Sequence, residues 1–213
     1  MKNCRFCDIA NENIKRSEDA IFLKNDEFFA ISSIGALVEG WTLIVPRKHC
    51  CSMKDIYGSK RFVEFANEIA KALKACYGPI VAFEHGPNRE GSDTSCGTDH
   101  AHIHFVPYHS LAKQLDHIGM NWKTCRADEI KDIVGNSEYL FYVEVGGKWE
   151  KSIGRVHILE KPISQFFRKV IADDMGISEK YSYKTNPDTD LTLKTIARMT
   201  SYFVENNGGN DVE

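Results

Sequence analysis

The segment His100-Ala101-His102-Ile103-His104 places three imidazoles at intervals of two residues. In an extended strand side chains alternate between faces, so the three rings share one face. Ala101, Ile103 and Phe105 then turn the other way, toward a core. Same-face neighbours stand about 6.5–7 Å apart along a strand, which lets one phosphate sit between adjacent rings. An imidazole, with an ordinary pKa of about 6.5, keeps a free ring nitrogen at neutral pH and can act as a nucleophile. The stretch just before it, Ser95-Cys96-Gly97-Thr98, offers a hydroxyl at Ser95 and backbone N–H groups at Gly97 and Thr98. Little side-chain bulk there would obstruct an oxyanion.

A second group with chemical potential is Cys4-x-x-Cys7. Alone it is a weak sign of zinc, which takes four ligands in structural sites, and two free thiols or a redox pair are the alternatives. Cys50 and Cys51, next to His49, are possible partners. The seven cysteines are an odd number and no export signal is evident, so free thiols with a metal site suit the chain better than disulfides. A cytoplasmic location is the expectation. The formal net charge of −3 gives no basic field for a nucleic-acid polymer, although a few local donors suffice for one nucleotide. No apolar run approaches the roughly 18 residues of a membrane span.

These residues need elements to hold them. Ala20–Leu23 and Phe28–Ile31 read as strands joined by the turn Asn25-Asp26-Glu27. Ile34–Gly40 is a loop, and Trp41–Val45 a strand closed by Pro46. Phe62, Phe65, Ile69, Ala72, Leu73 and Cys76 recur at spacings of three and four, which predicts a helix over 59–77, stopped by Gly78-Pro79. Strands at Ile80–Phe83 and His100–Val106 flank the polar loop Pro87–Thr98. The order implies an α+β fold on an antiparallel sheet. After an irregular stretch, Tyr108–Trp122, come a short helix (Ala127–Val134), strands Tyr139–Val145 and Val156–Leu159 about a Gly146-Gly147 turn, and helices Ser164–Met175 and Leu191–Val204. This second half loosely echoes Phe28 to Tyr77, as a degenerate repeat would. Ser164 is a candidate N-cap, and Gln165 and Arg168, three apart, would share a helix face within reach of a phosphate. The tail Asn206–Glu213 is expected to be disordered.

His-Ala-His-Ile-His-Phe-Val matches the pattern of the histidine triad (HIT) family, and Phe28–His49 resembles its segment of strand, loop and strand ending in Pro-basic-basic-His. Phe83-Glu84-His85-Gly86 with Ser95–His100 is similar to a bacterial extended subgroup. The resemblance implies a HIT-like nucleotide-binding catalytic domain over 1–110, with an α+β extension at 111–205 packed on it and the tail 206–213 beyond. By the same resemblance His102 is the nucleophile and His104 contacts the phosphate or leaving group. A nucleotidyl-histidine intermediate would retain configuration at phosphorus. Ser95, Gly97, Thr98, His104, Gln165 and Arg168 are the implied nucleotide- and phosphate-binding set. Members with an N-terminal Cys-x-x-Cys complete a structural zinc (Zn2+) site with the residues matching His49 and His100, so Cys4, Cys7, His49 and His100 are the implied ligands.

The implied activity is hydrolysis or nucleotidyl transfer at an α-phosphate, on a dinucleoside polyphosphate, nucleoside phosphoramidate or nucleotide sugar. The alternative is a non-catalytic nucleotide-binding or interaction module. Simple members are homodimers whose sheet continues across the interface; here the extension could mimic the second subunit, giving a pseudo-dimeric monomer. Two departures stand out. Common members carry Gln and then Ser or Thr where this chain has Cys96 and Gly97, and no acid for ribose recognition appears in Ala30-Ile31-Ser32-Ser33. Phe6, Phe29 and Ile31 are candidates for a base pocket or for core.

Overall fold

In the computed structural model, residues 4–207 are described. Eight strands form one sheet, and every neighbouring pair in it is antiparallel. They are β1 (Ile21–Lys24), β2 (Phe28–Ser32), β3 (Thr42–Pro46), β4 (Val81–Gly86), β5 (Ile103–Val106), β6 (Lys123–Arg126), β7 (Tyr139–Glu144) and β8 (Ile153–Ile158). Their order across the sheet is β1-β2-β3-β5-β4-β7-β8-β6. The fold is α+β, and the sheet runs unbroken from the HIT-like part into the extension through the pairing of β4 with β7.

Local chemistry accounts for the elements. Asn25 folds its carboxamide back to accept from the N–H groups of Glu27 and Phe28, at 2.9 and 2.7 Å, and so turns β1 into β2. Helix α2 (Lys60–Tyr77) starts where the Ser59 hydroxyl accepts from the Phe62 N–H at 3.1 Å. It stops at Gly78, whose φ of 89° a larger residue would resist. Phe62, Phe65, Ile69 and Leu73 on its inner face are fully buried, each worth about 1.5–3 kcal/mol of transfer free energy.

The two faces of the sheet carry separate cores because the strand residues alternate. Ala30, Ile44, Ala82, Ile103, Phe105 and Phe141 face α2 and the last helix, α6 (Thr189–Asn207). Phe29, Ile31, Leu43, Phe83 and Leu140 face α1 (Arg5–Ala10), α3 (Leu111–Ile118) and α5 (Phe166–Asp174). The helix α5 of the second-half echo therefore lies on the opposite face from α2. Phe29 and Ile31 are core residues, fully enclosed.

Several expectations need correction. The strand expected at His100–Val106 begins only at Ile103, because Ala101 donates its N–H to the Cys50 carbonyl (2.7 Å) instead of to a ladder neighbour. The stretch Tyr108–Trp122 is not irregular: it holds α3, closed by Gly119 at φ 72°, and leads into edge strand β6, where Cys125 alone is buried. The short helix expected over Ala127–Val134 is a 3-10 turn followed by α4 (Ile130–Val134). Ser164 is not the N-cap of α5. That position belongs to Gln165, which takes a left-handed φ of 56°, so Gln165 and Arg168 do not share a helical face. Asn206 and Asn207 are still helical; the rest of the expected tail, 208–213, lies outside the described residues.

Candidate active site

The N-terminal helix α1, the end of β3 and the segment entering β5 bring four metal-type donors together. One ligand atom from each of Cys4, Cys7, His49 and His100 lies within 4.8 Å of the other three. The Cys4 and Cys7 sulfurs stand 3.3 and 3.6 Å from His100 Nδ1, and Cys7 Sγ is 3.3 Å from His49 Nδ1. Bond lengths of about 2.0–2.3 Å in a tetrahedral site put ligands roughly 3.4–3.8 Å apart, so the cluster fits a tetrahedral ion. Burial, and next the neighbouring Cys4 thiol, pushes the Cys7 thiol up to about 11. The outer ring nitrogens are also held: His100 Nε2 donates to the Pro46 carbonyl at 2.8 Å, and His49 Nε2 lies 3.4 Å from a Glu90 carboxylate oxygen. Such outer contacts fix which nitrogen is free to ligate. Cys50 and Cys51 stand outside the set.

Past this cluster, His102 and His104 meet with ring centroids 4.9 Å apart and line an enclosed cavity of about 60 Å³. Each ring has its protonation pattern assigned by a neighbour that can play only one role. His102 Nδ1 lies 2.9 Å from the His100 carbonyl oxygen, which can only accept, so Nδ1 carries the proton and Nε2 keeps its lone pair. His104 is the reverse. The Trp41 indole N–H, which can only donate, points at His104 Nδ1 at 2.8 Å, so the proton sits on Nε2. Phe83, directly across the β4–β5 pair, stacks on the His104 ring at 4.7 Å. Burial holds His102 below the ordinary histidine range and His104 well below it. Phe6 of α1 packs edge-on against both His100 and His102, at 5.7 and 5.4 Å, so it touches the site as well as the core.

The loop before β5 is tightly folded. The Ser95 hydroxyl donates to the Ser92 carbonyl at 2.7 Å, and the Thr98 N–H donates to the Ser95 carbonyl at 3.0 Å. The Gly97 N–H reaches Ser95 Oγ at 3.4 Å. Ser95 and Thr98 line the cavity, whereas Gly97 stands outside its wall. Both expected backbone donors are thus engaged within the turn in this closed state.

The extension reaches this site in a way the sequence only partly foretold. Arg168 of α5 lines the cavity with its guanidinium 5.0 Å from the Trp41 ring centre, and its Nε donates to the Tyr181 carbonyl at 2.7 Å. Gln165 does not line the cavity: its side-chain oxygen accepts from the Tyr183 N–H at 3.4 Å. Tyr183 itself was missed. Its hydroxyl donates to the Cys96 carbonyl at 2.7 Å, and it lines the cavity from a strap, residues 181–188, that follows α5. Gly35 admits the strap, since a Cβ there would come within 2.1 Å of the Tyr183 Cβ. His85, at the end of β4, is also in the wall. Its Nε2 accepts from the Phe167 N–H at 3.4 Å, so Nδ1 holds the proton, and burial brings its pKa down to about 3.

Residues 15–111 match the family model described as the HIT domain. This segment is similar to a HIT domain. Its triad is His100, His102 and His104, with the first turned toward the cysteines and the other two toward the cavity. Solved structures similar to the chain include a HIT family hydrolase from Clostridium thermocellum, at 22% identity over 52% of this chain and 95% of that one, with a TM-score of 0.38. A HIT family member from Bacillus subtilis matches at 22% identity over 62% and 92%, with a TM-score of 0.39. A protein of Streptococcus mutans matches at 26% identity over 52% and 68%, with a TM-score of 0.38. No curated protein matches the chain. No described helix is long and apolar enough to cross a membrane.

Proposed function

We propose that the chain is an enzyme that hydrolyses or transfers a nucleotidyl group at its α-phosphate, with His102 as the nucleophile. The observation that carries this reading is the opposite polarity of the two cavity histidines: one presents a lone pair and the other an N–H. In the first step His102 Nε2 attacks phosphorus and forms a P–N bond while the P–O bond to the leaving group breaks. His104 keeps its proton and donates a hydrogen bond from Nε2–H to the departing oxygen, which leaves as its anion. In the second, water or another acceptor attacks the same phosphorus and loses its proton to solvent, and the P–N electrons return to His102. Two displacements retain configuration.

In this reading Arg168 and the Thr98 hydroxyl hold phosphate oxygens, Ser95, whose hydroxyl donates to the Ser92 carbonyl, shapes the loop, Gln165 positions Tyr183, and Gly97 lets the loop turn. The cavity of about 60 Å³ holds about two waters' worth of space. A nucleotide pocket needs roughly 300 Å³ or more, so binding requires the strap to move aside. The four-donor cluster suits zinc, whose role with all positions filled by protein would be to pin α1 against the segment that carries His102.

Incubation with a panel of adenylated and guanylated polyphosphates, phosphoramidates and nucleotide sugars tests the reading. Turnover with trapping of a phosphorus-labelled protein is expected, and His102→Ala should lower kcat at least 1000-fold. If nothing in the panel turns over while nucleotides bind tightly, the chain is a binding module instead.

A further inference from the structure

Arg168 is 4% exposed, and its Nη2 is buried without a hydrogen-bond partner among the described residues. Among the described residues no carboxylate pairs with it, and the cavity wall carries no Asp or Glu. The other arginine of the wall, Arg5, is already neutralised by Asp19. Arg168 remains protonated at neutral pH, since burial lowers it only to about 10. Space beside the free amine is kept by Gly35, where a Cβ would lie 3.2 Å from Nη2. A buried cation with one unused arm and no counter-charge calls for an anion from outside.

A second cation stands nearby. Lys184, in the strap, lays its ammonium against Gly97, where a Cβ would be only 2.8 Å from Nζ, and Gly97 has a φ of 85°. Lys184 has no carboxylate partner among the described residues. Arg168 shares the cavity wall with Cys96, and Lys184 lies against Gly97, so the two cations flank the Cys96–Gly97 turn. Position along the cavity matters too. Arg168 lies over Trp41, whose indole bonds His104, whereas Arg5 lies over Phe6, which packs on His102. In-line attack from His102 puts the leaving group on the far side of phosphorus, toward the Arg168 end.

We propose that Arg168 and Lys184, both supplied by the C-terminal extension, form a second anion subsite that takes phosphate of the leaving group. The substrate is then a nucleotide anhydride with at least two phosphates, not a phosphoramidate. Two uncompensated positive charges match a ligand with more than the single charge of one phosphodiester. This rests on the nucleotidyl chemistry proposed above, and the experiment separates the two.

Binding of inorganic pyrophosphate is measured by calorimetry for the wild type, Lys184→Met, Lys184→Arg and Arg168→Met. Pyrophosphate should bind the wild type, about tenfold more weakly to Lys184→Met, and near wild-type strength to Lys184→Arg. In parallel, the ratio of kcat/KM for a dinucleoside triphosphate over a nucleoside phosphoramidate should fall about tenfold in Lys184→Met and in Arg168→Met. Lys184 is exposed, so its variants test the subsite even if Arg168→Met fails to fold. No pyrophosphate binding by the wild type, or equal binding by Lys184→Met, overturns the subsite. Pyrophosphate binding that follows this pattern without turnover of any nucleotide leaves the subsite standing and removes the nucleotidyl chemistry instead.

Discussion

At the scale of single residues, the site works by assigning each imidazole one role through one hydrogen bond. The carbonyls of Pro46 and His100 accept hydrogen bonds from His100 and His102, and the Trp41 indole donates one to His104. The period-two spacing made the group legible in the sequence, but the partners come from residues up to 63 positions away, so the division of roles was not. Glu84 shows a similar limit. It is buried and accepts from the Tyr57 and Tyr139 hydroxyls and the Met53 N–H, and burial pushes its carboxyl up to about 7. A carboxyl whose folded pKa is raised from 4.5 binds more protons in the native state than in the unfolded one. Its contribution is fully present below pH 4.5 and is lost as the pH rises through 7. Denaturant unfolding should therefore show the wild type losing on the order of 3 kcal/mol relative to Glu84→Gln between pH 4.5 and pH 8. A difference that stays flat with pH would show that Glu84 is ionised throughout.

At the scale of elements, short pieces held by tertiary contacts escaped the sequence reading, and long periodic ones did not. Helix α2 announces itself through its apolar stripe and its cap. Helix α1 has six residues, too few to be stable alone. It is held by Phe6 and Ile9 in the core and by the two cysteines facing His49 and His100. Metal binding should hence be coupled to the order of α1. The purified protein is expected to carry one zinc per chain, and Cys4→Ser and His49→Ala should each lose it. Chelation should expose the N-terminal segment to protease well before global unfolding. Unchanged metal stoichiometry in both variants would remove the site from the molecule. Helix α3 carried a readable signal in Leu111, Leu115 and Gly119; edge strand β6, nearly all polar, carried almost none. The strap over the cavity has no periodicity at all, and only its contacts with Cys96, Gln165 and Gly35 reveal it.

At the scale of the whole molecule, the extension continues the sheet. Strand β7 lies along all of β4, from Val81 opposite Glu144 to Gly86 opposite Tyr139. The outer edge of β4 is therefore filled by the chain's own residues, and the sheet ends at β1 and β6. We expect a monomer of 24.2 kDa in light scattering at micromolar concentration. A stable dimer under those conditions would mean that another surface associates. The antiparallel class of the sheet followed from strand order in the sequence, whereas the joining of its two halves through β4 and β7 did not, because strand neighbours 60 residues apart leave no local trace.

The return of α6 to β1 and β2 bears on how the protein is made. The first strands leave the ribosome early, yet one of their coverings, α6, follows the last strand of the sheet, and Arg168 and the strap also come after it. A nascent chain long enough to contain all three triad histidines still lacks its roof. Chemical competence should therefore arise only once the extension has been made and folded back onto the sheet.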